Sequence, residues 1–358
     1  MASPGEQRFS VVCAAVDVAG TRLTSSSSNV RMATSRALRM LRCVAITLAI
    51  ASPGYGQSAP LVDYHQHLFS PELASLMLNG AAAPRLDAAN LVRLLDEAGI
   101  ERAVVLSTAY IWTQPSRHVA DAAQHVRAEN DWTSLQVAQF PSRLIGFCSL
   151  NPVGDDALAE LTHCVSDPNL HRGLKIHIGN SAVDYHRPDH VERLRRVFRA
   201  ANDAGMAIVV HMRASVTEKL AYGREEAAIF LADVLSAAPD VPVQIAHLAG
   251  AGGYDDPTTD RALSVFVDAI RGGDPRARHL WFDVTAVVDE RQSNAIKDQI
   301  AQRIRELGPN RILYGTDAPV GANTPQAGWA AFRSLPLTAD EFNTIATNVA
   351  PYAVPPSK

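Results

Sequence analysis

Leu61-Val62-Asp63-Tyr64-His65-Gln66-His67-Leu68 is the stretch on which the fold turns. Its apolar start predicts a strand over Leu61–His67. No Gly-rich turn follows it, as the phosphate loop of an open doubly wound sheet requires, so that architecture is set aside. Seven more short apolar runs come after it, at Arg102–Ser107, Leu144–Leu150, Gly173–Ile178, Ala207–Met212, Val243–Leu248, Leu280–Thr285 and Arg311–Thr316. Their near-continuous apolar character fits parallel strands buried on both faces. Amphipathic segments separate them. Leu91, Leu94, Leu95 and Ala98 recur at helical spacing before Gly99, as do Val191, Leu194, Val197, Phe198 and Ala201 before Gly205. Ser293–Leu307 reads likewise and stops at Gly308-Pro309. Strand and helix alternating through eight strands predict an α/β fold, a single closed (β/α)8 TIM barrel over residues 61–350. The chain's 358 residues, 47% hydrophobic and 20% charged, suffice for one such barrel with a large core. The longest insertions follow strands two, four, five and six, on the face where such barrels do their chemistry.

Residues 1–56 read as a non-barrel leader. Arg36, Arg39 and Arg42 precede the apolar run Cys43–Ala51, and small residues follow at Gly54 and Gly56. This is the order of a secretory signal peptide beginning near Met32, with cleavage near Gly56–Gln57 and residues 1–31 as an over-extended start. The apolar run is too short to span a bilayer, so the expectation is export to the periplasm or beyond, without a membrane anchor after cleavage. A leader that does not act as a signal would leave the protein cytoplasmic. The leader carries six Arg, Glu6 and Asp17, so the chain's 33 basic and 37 acidic residues become 27 and 35 without it, a net of −8. That balance lacks the basic footprint of nucleic-acid or anionic-membrane binding. A small molecule is the expected partner, and self-association into a homo-oligomer stays open. Outside the leader only Cys148 and Cys164 remain, with no CxxC. Cys148 lies in an apolar strand-like run, so a buried free thiol is expected there; an oxidising compartment permits a bridge but the sequence does not demand one.

All twelve histidines lie at or after position 65, and five of them end strands: His65, His67, His177, His211 and His247. Residues two apart on a strand share a face, so His65 and His67 can aim at one point on the barrel axis. Neutral imidazoles are good zinc ligands. Asp317 ends the eighth strand, where packing alone does not explain a carboxylate. Singly, each of these has an ordinary reading, as a satisfied core histidine or a helix N-cap. Jointly, strands one, five, six and eight each end in a metal-competent group, and that combination points to a metal centre built from His65, His67, His211 and Asp317.

The ordered motifs Asp63-x-His-x-His, Gly173-Leu-Lys-Ile-His, Val209-Val-His, Ala246-His-Leu-Ala-Gly and Tyr314-Gly-Thr-Asp-Ala-Pro resemble those of the amidohydrolase superfamily, and most closely amidohydrolase family 2. Asn151-Pro152 and Asn348-Val-Ala add to the resemblance, which covers about residues 61–350. It implies a TIM-barrel, metal-dependent hydrolase. His65, His67, His211 and Asp317 would bind one divalent metal, zinc being expected. Asp317 would also take a proton from the attacking water, and His247 would polarise the substrate or shuttle the proton. Lys175 carries an alternative: in some superfamily members a strand-four lysine is carboxylated and bridges two metals, with His211 and His247 on the second. The single-metal reading leaves Lys175 and His177 to face the substrate or balance charge. Arg213, two residues beyond His211, suits a carboxylate-bearing substrate, or else forms an ion pair. Tyr110, Trp112, Tyr185 and Tyr254 either line the pocket or pack their own loops.

Three functions fit these motifs. The leading one is hydrolysis of a lactone, ester or amide. The second is non-oxidative decarboxylation, although many family decarboxylases carry Glu at the first histidine of the pair, whereas this chain has His65 and His67. The third is a non-catalytic metal-binding barrel, against which the retention of both His247 and Asp317 argues.

Overall fold

The computed structural model describes residues 59–77, 87–289, 291–317 and 323–354. The predicted leader lies outside the described residues. Eight parallel strands follow one another in chain order: β1 (Val62–Gln66), β2 (Arg102–Leu106), β3 (Leu144–Ser149), β4 (Gly173–His177), β5 (Ala207–His211), β6 (Val243–Ile245), β7 (Leu280–Asp283) and β8 (Ile312–Leu313). Backbone hydrogen bonds from Tyr64 N to Tyr314 O (2.8 Å) and from Asp317 N to His65 O (2.8 Å) join the eighth strand's end to the first. The result is the TIM barrel that the alternating pattern predicts.

Helices fill the connections where the spacing places them. Asp87 caps the helix Ala88–Ala98 by accepting from Asn90 N, and Gly99 ends it at φ 70°, a conformation that costs glycine little. Ser293 caps Asn294–Leu307 in the same way, and Pro188–Asp203 buries Leu194, Val197, Phe198 and Ala201 against the strands. Among the described residues no helix is long and apolar enough to cross a membrane.

Two apolar layers result. The outer one lies between strands and helices and includes Phe198, Phe230, Phe266 and Phe282. The inner one fills the barrel with Val62, Tyr64, Val104, Phe147 and Val209, and it also takes in Ala350, Tyr352 and Ala353 from the chain's last described turn. The C-terminal segment thus enters the barrel as packing material.

Two expectations are corrected. Cys148 and Cys164 are not free thiols but are joined as a disulfide, their Cα atoms 6.0 Å apart. Cys148 lies on β3 and Cys164 in the last turn of the helix Ala157–Ser166, a proximity that sequence spacing does not display. The sixth and eighth strands also end early, at Ile245 and Leu313 rather than Leu248 and Thr316. His247, Leu248 and Ala249 take φ of 54°, 48° and 68°, and Asp317 takes 58°, so the backbone leaves the extended region where apolar content alone would continue it.

Candidate metal centre

Asp63 organises the end of β1. It is fully buried and accepts four hydrogen bonds: from Gln66 Nε2 (2.6 Å), Thr316 Oγ1 (2.6 Å), His65 N (3.1 Å) and Thr316 N (3.2 Å). Burial drives its carboxyl pKa up to about 6 against these bonds, which favour the charge. Beside this clamp the pairing of β1 with β2 shifts register between Asp63 and Gln66. Gly315 then lets β8 approach closely, because a Cβ there would stand 2.8 Å from His65 Cβ and collide with Thr285 Oγ1.

The clamp presents His65, His67 and Asp317 together. One ligand atom from each lies within 4.8 Å of the others. His67 Nε2 stands 3.4 Å from Asp317 Oδ1. The tautomers follow from the opposite ring nitrogens. His67 Nδ1 meets Leu106 O at 2.7 Å, His247 Nδ1 meets Thr285 O at 2.8 Å, and His65 Nδ1 meets Asp283 Oδ2 at 3.0 Å. Those partners only accept, so Nδ1 carries the proton and Nε2 keeps its lone pair, as in metal-ligating histidines. Burial, with the nearby Lys175 charge, pulls the pKa of His65 and of His67 down to about 3, so both rings are neutral at pH 7. Two neutral imidazoles and a carboxylate fit a divalent metal.

Lys175 and His177 come from β4. Lys175 is fully buried, and its Nζ lies 3.2 Å from His65 Nε2. A cation at the trio and the Lys175 ammonium therefore compete for one lone pair. Burial lowers the Lys175 pKa to about 8, while Asp283 and Asp317 oppose the shift. His177 is the exception among the rings. Asn180 N donates to its Nδ1 at 3.1 Å, so its proton sits on Nε2, and it offers a donor rather than a ligand. His177 and His211 are directly paired across β4 and β5 and stack with centroids 3.8 Å apart. Burial and neighbouring histidines hold His211 neutral. Its ring lies 4.9 Å from that of His247, which lies 4.7 Å from that of His65. His211 thus borders the trio without being one of its three closest donors.

Arg213 pairs with Asp256 at 3.2 Å and lies over the Tyr222 ring at 5.1 Å, with its side chain 17% exposed. Of the four aromatic candidates, Tyr110 packs on His177 and Trp112 stacks on His125, whereas Tyr185 donates to Met212 O and Tyr254 to Asp260. Only Tyr110 touches a site histidine in this way.

Asp283 is the functional residue that the motifs missed. It ends β7, is fully buried, and accepts from His65 Nδ1, Gln244 Nε2 (2.6 Å), His247 N (2.8 Å) and Thr285 N (3.2 Å). Burial would raise its pKa, but His65 and His247 hold it far below the usual carboxylate range. An acid closing an apolar strand was the signal used for Asp317, and Leu280-Trp-Phe-Asp283 carries the same signal.

A barrel whose strand ends gather imidazoles, a buried lysine and carboxylates defines a metal-binding catalytic scaffold. An amidohydrolase family model matches residues 62–348, and the chain belongs to the amidohydrolase family. No curated protein matches the sequence. Among solved structures, 5-carboxyvanillate decarboxylase from Sphingomonas paucimobilis is 17% identical with a TM-score of 0.56, covering 81% of this chain and 97% of its own. An amidohydrolase from Burkholderia multivorans with bound zinc is 15% identical, TM-score 0.55, covering 80% and 96%. A probable 2-pyrone-4,6-dicarboxylic acid hydrolase from Acinetobacter baumannii, with citric acid bound, is 18% identical, TM-score 0.52, covering 80% and 96%. At these identities the likeness is one of fold.

Proposed function

We propose that this protein is a metal-dependent hydrolase that opens a lactone, ester or amide of a small, carboxylate-bearing substrate. The observation that carries the reading is the trio His65, His67 and Asp317, within 4.8 Å, with both imidazoles neutral and their Nε2 lone pairs free of backbone partners. A bound divalent metal, zinc by the chemistry of two imidazoles and a carboxylate, supplies Lewis acidity and lowers the pKa of a water to about 7. Asp317, with its side chain 25% exposed, takes the proton of the attacking water and returns it to the leaving group. His247, held through Nδ1 by Thr285 O, offers Nε2 as a second proton site or polarises the substrate. His177 donates from Nε2 to a substrate oxygen. Arg213 exchanges Asp256 for a substrate carboxylate.

One metal is proposed, with His211 completing its ligands. Lys175 then stays uncarboxylated, an ammonium that balances Asp283 and Asp317. Metal analysis of the purified protein tests this: one equivalent per chain is expected, and two overturn it in favour of a carboxylated Lys175. Decarboxylation is the second reading, favoured by the several decarboxylases among the structural neighbours. A panel of lactones, esters, amides and aromatic carboxylic acids separates the two. Hydrolysis gives a new acid without gas, and release of carbon dioxide from an acid with no hydrolysis of the rest overturns the hydrolase.

A further inference from the structure

The inner core contains one polar column, which runs away from the metal-ligand trio into the barrel. Its lower end is Tyr352, in the turn Pro351–Ala353. Its ring lies 5.2 Å from Phe147 and 5.9 Å from Tyr64, centroid to centroid, so the C-terminal turn is wedged among inward-facing side chains. Its hydroxyl donates to Gln244 Oε1. Gln244 is fully buried on β6, and its Nε2 donates to Asp283 Oδ2 at 2.6 Å. That same oxygen accepts from His65 Nδ1 at 3.0 Å. Asp283 Oδ1 accepts from the backbone of His247 and Thr285.

A carboxamide can sit either way round, and what decides is the partner at each end. Here the Asp283 carboxylate only accepts, which obliges the NH2 to face it and leaves the amide oxygen to the Tyr352 hydroxyl, which donates to it. Without that hydroxyl, Gln244 Oε1 is left buried and unpaired, and the amide gains by tilting or shifting toward another donor. Either change withdraws a donor from the oxygen that orients His65. Partners behind a metal-ligating histidine set its orientation and basicity.

We infer that Tyr352 is a positioning residue for the metal centre, acting through Gln244 and Asp283 on His65. The inference rests on the metal reading above and extends it to a residue from the last described turn. Tyr352 touches no reacting group, and its hydroxyl anchors the oxygen of the amide whose NH2 donates to Asp283.

The experiment is Zn2+ titration of the metal-stripped full-length protein against a chromophoric chelator, with melting temperatures of the stripped proteins alongside. Outer partners of zinc-bound histidines are worth about 10- to 100-fold in affinity, so Tyr352→Phe, one bond further out, is expected to weaken zinc binding roughly 3- to 10-fold. Gln244→Met should weaken it at least as much. Because both act through one path, the double variant should bind as Gln244→Met does, not as the product of the two losses. A Tyr352→Phe protein that binds zinc within twofold of the parent overturns the inference, whatever its melting temperature. So does a double variant whose losses multiply. If Tyr352→Phe does not fold, an unchanged affinity in Gln244→Met overturns it alone. A parent that binds no zinc overturns the metal reading and this inference together.

Discussion

The two halves of the barrel are built differently. β2 to β5 are five or six residues long and pair in unbroken register, with His177 directly opposite His211. β6, β7 and β8 shrink to three, four and two residues, and the pairing of β1 with β2 shifts register. Left-handed backbone comes directly after the ends of β6, β7 and β8, at His247–Ala249, Ala286 and Asp317, and only further along the loops after β2, β4 and β5, at His118, Ala182 and Lys219. Regular pairing in the first half sets like side chains side by side, and so it stacks His177 on His211. Irregular backbone in the second half turns chains inward, so His65, His67 and Asp317 meet there with Asp283 and His247 around them. A ligand set needs groups that converge, and ladders keep them parallel. Non-glycine residues at positive φ cost roughly 1–3 kcal/mol each, and they persist where packing and hydrogen bonds over-determine them.

That contrast can be broken at stated places. The largest effect belongs to the irregular half. Asp317→Asn removes the proposed base and should lower kcat by about 10²- to 10⁴-fold on any confirmed substrate; a variant that turns over as fast as the parent sinks the mechanism. Gly315→Ala forces a methyl against His65 and Thr285. It should cost roughly 1–3 kcal/mol by overpacking, and metal content after dialysis should fall well below the parent's; full retention would show that the close approach of β8 to β1 is not needed. In the regular half, Arg213→Ala should raise KM for anionic substrates about tenfold with kcat within twofold, the pattern of lost ground-state binding, as steady-state kinetics on charged and neutral analogues would reveal. The smallest effect lies outside both halves. Thr338→Ala breaks the capping box with Glu341 and should cost about 1 kcal/mol in thermal unfolding with metal affinity untouched.

The regular half was also the more legible in the sequence. Continuous apolar runs such as Ala207–Met212 mark both the strand and the histidine at its end, because a parallel strand buried on both faces needs nothing polar until it emerges. The same rule overran in the other half, carrying β6 through Leu248 and β8 through Thr316. The turn after Ile245 is imposed by tertiary hydrogen bonds that His247 donates to Asp283 Oδ1 and Thr285 O, and no local residue announces them. His65, His67 and Asp317 could be proposed because ligand-type residues ended strands. Asp283 lies outside the family motifs, although it closes an apolar strand and so carries the same signal. Gln244 and Tyr352 were illegible for another reason: they matter only through a contact between residues 108 positions apart. The disulfide likewise depended on a strand and a helix meeting.

The clamp around Asp63 reaches further than geometry. Its bonds to Thr316 join residues 253 positions apart, one in the first strand and the other just past the last. During synthesis the ribosome must therefore release nearly the whole barrel before the trio exists. A nascent or truncated chain lacking its final strand carries His65 and His67 without Asp317, and so lacks the third member of the trio. The trio is thus a product of completed folding, formed only when the first and last strands of the barrel have met.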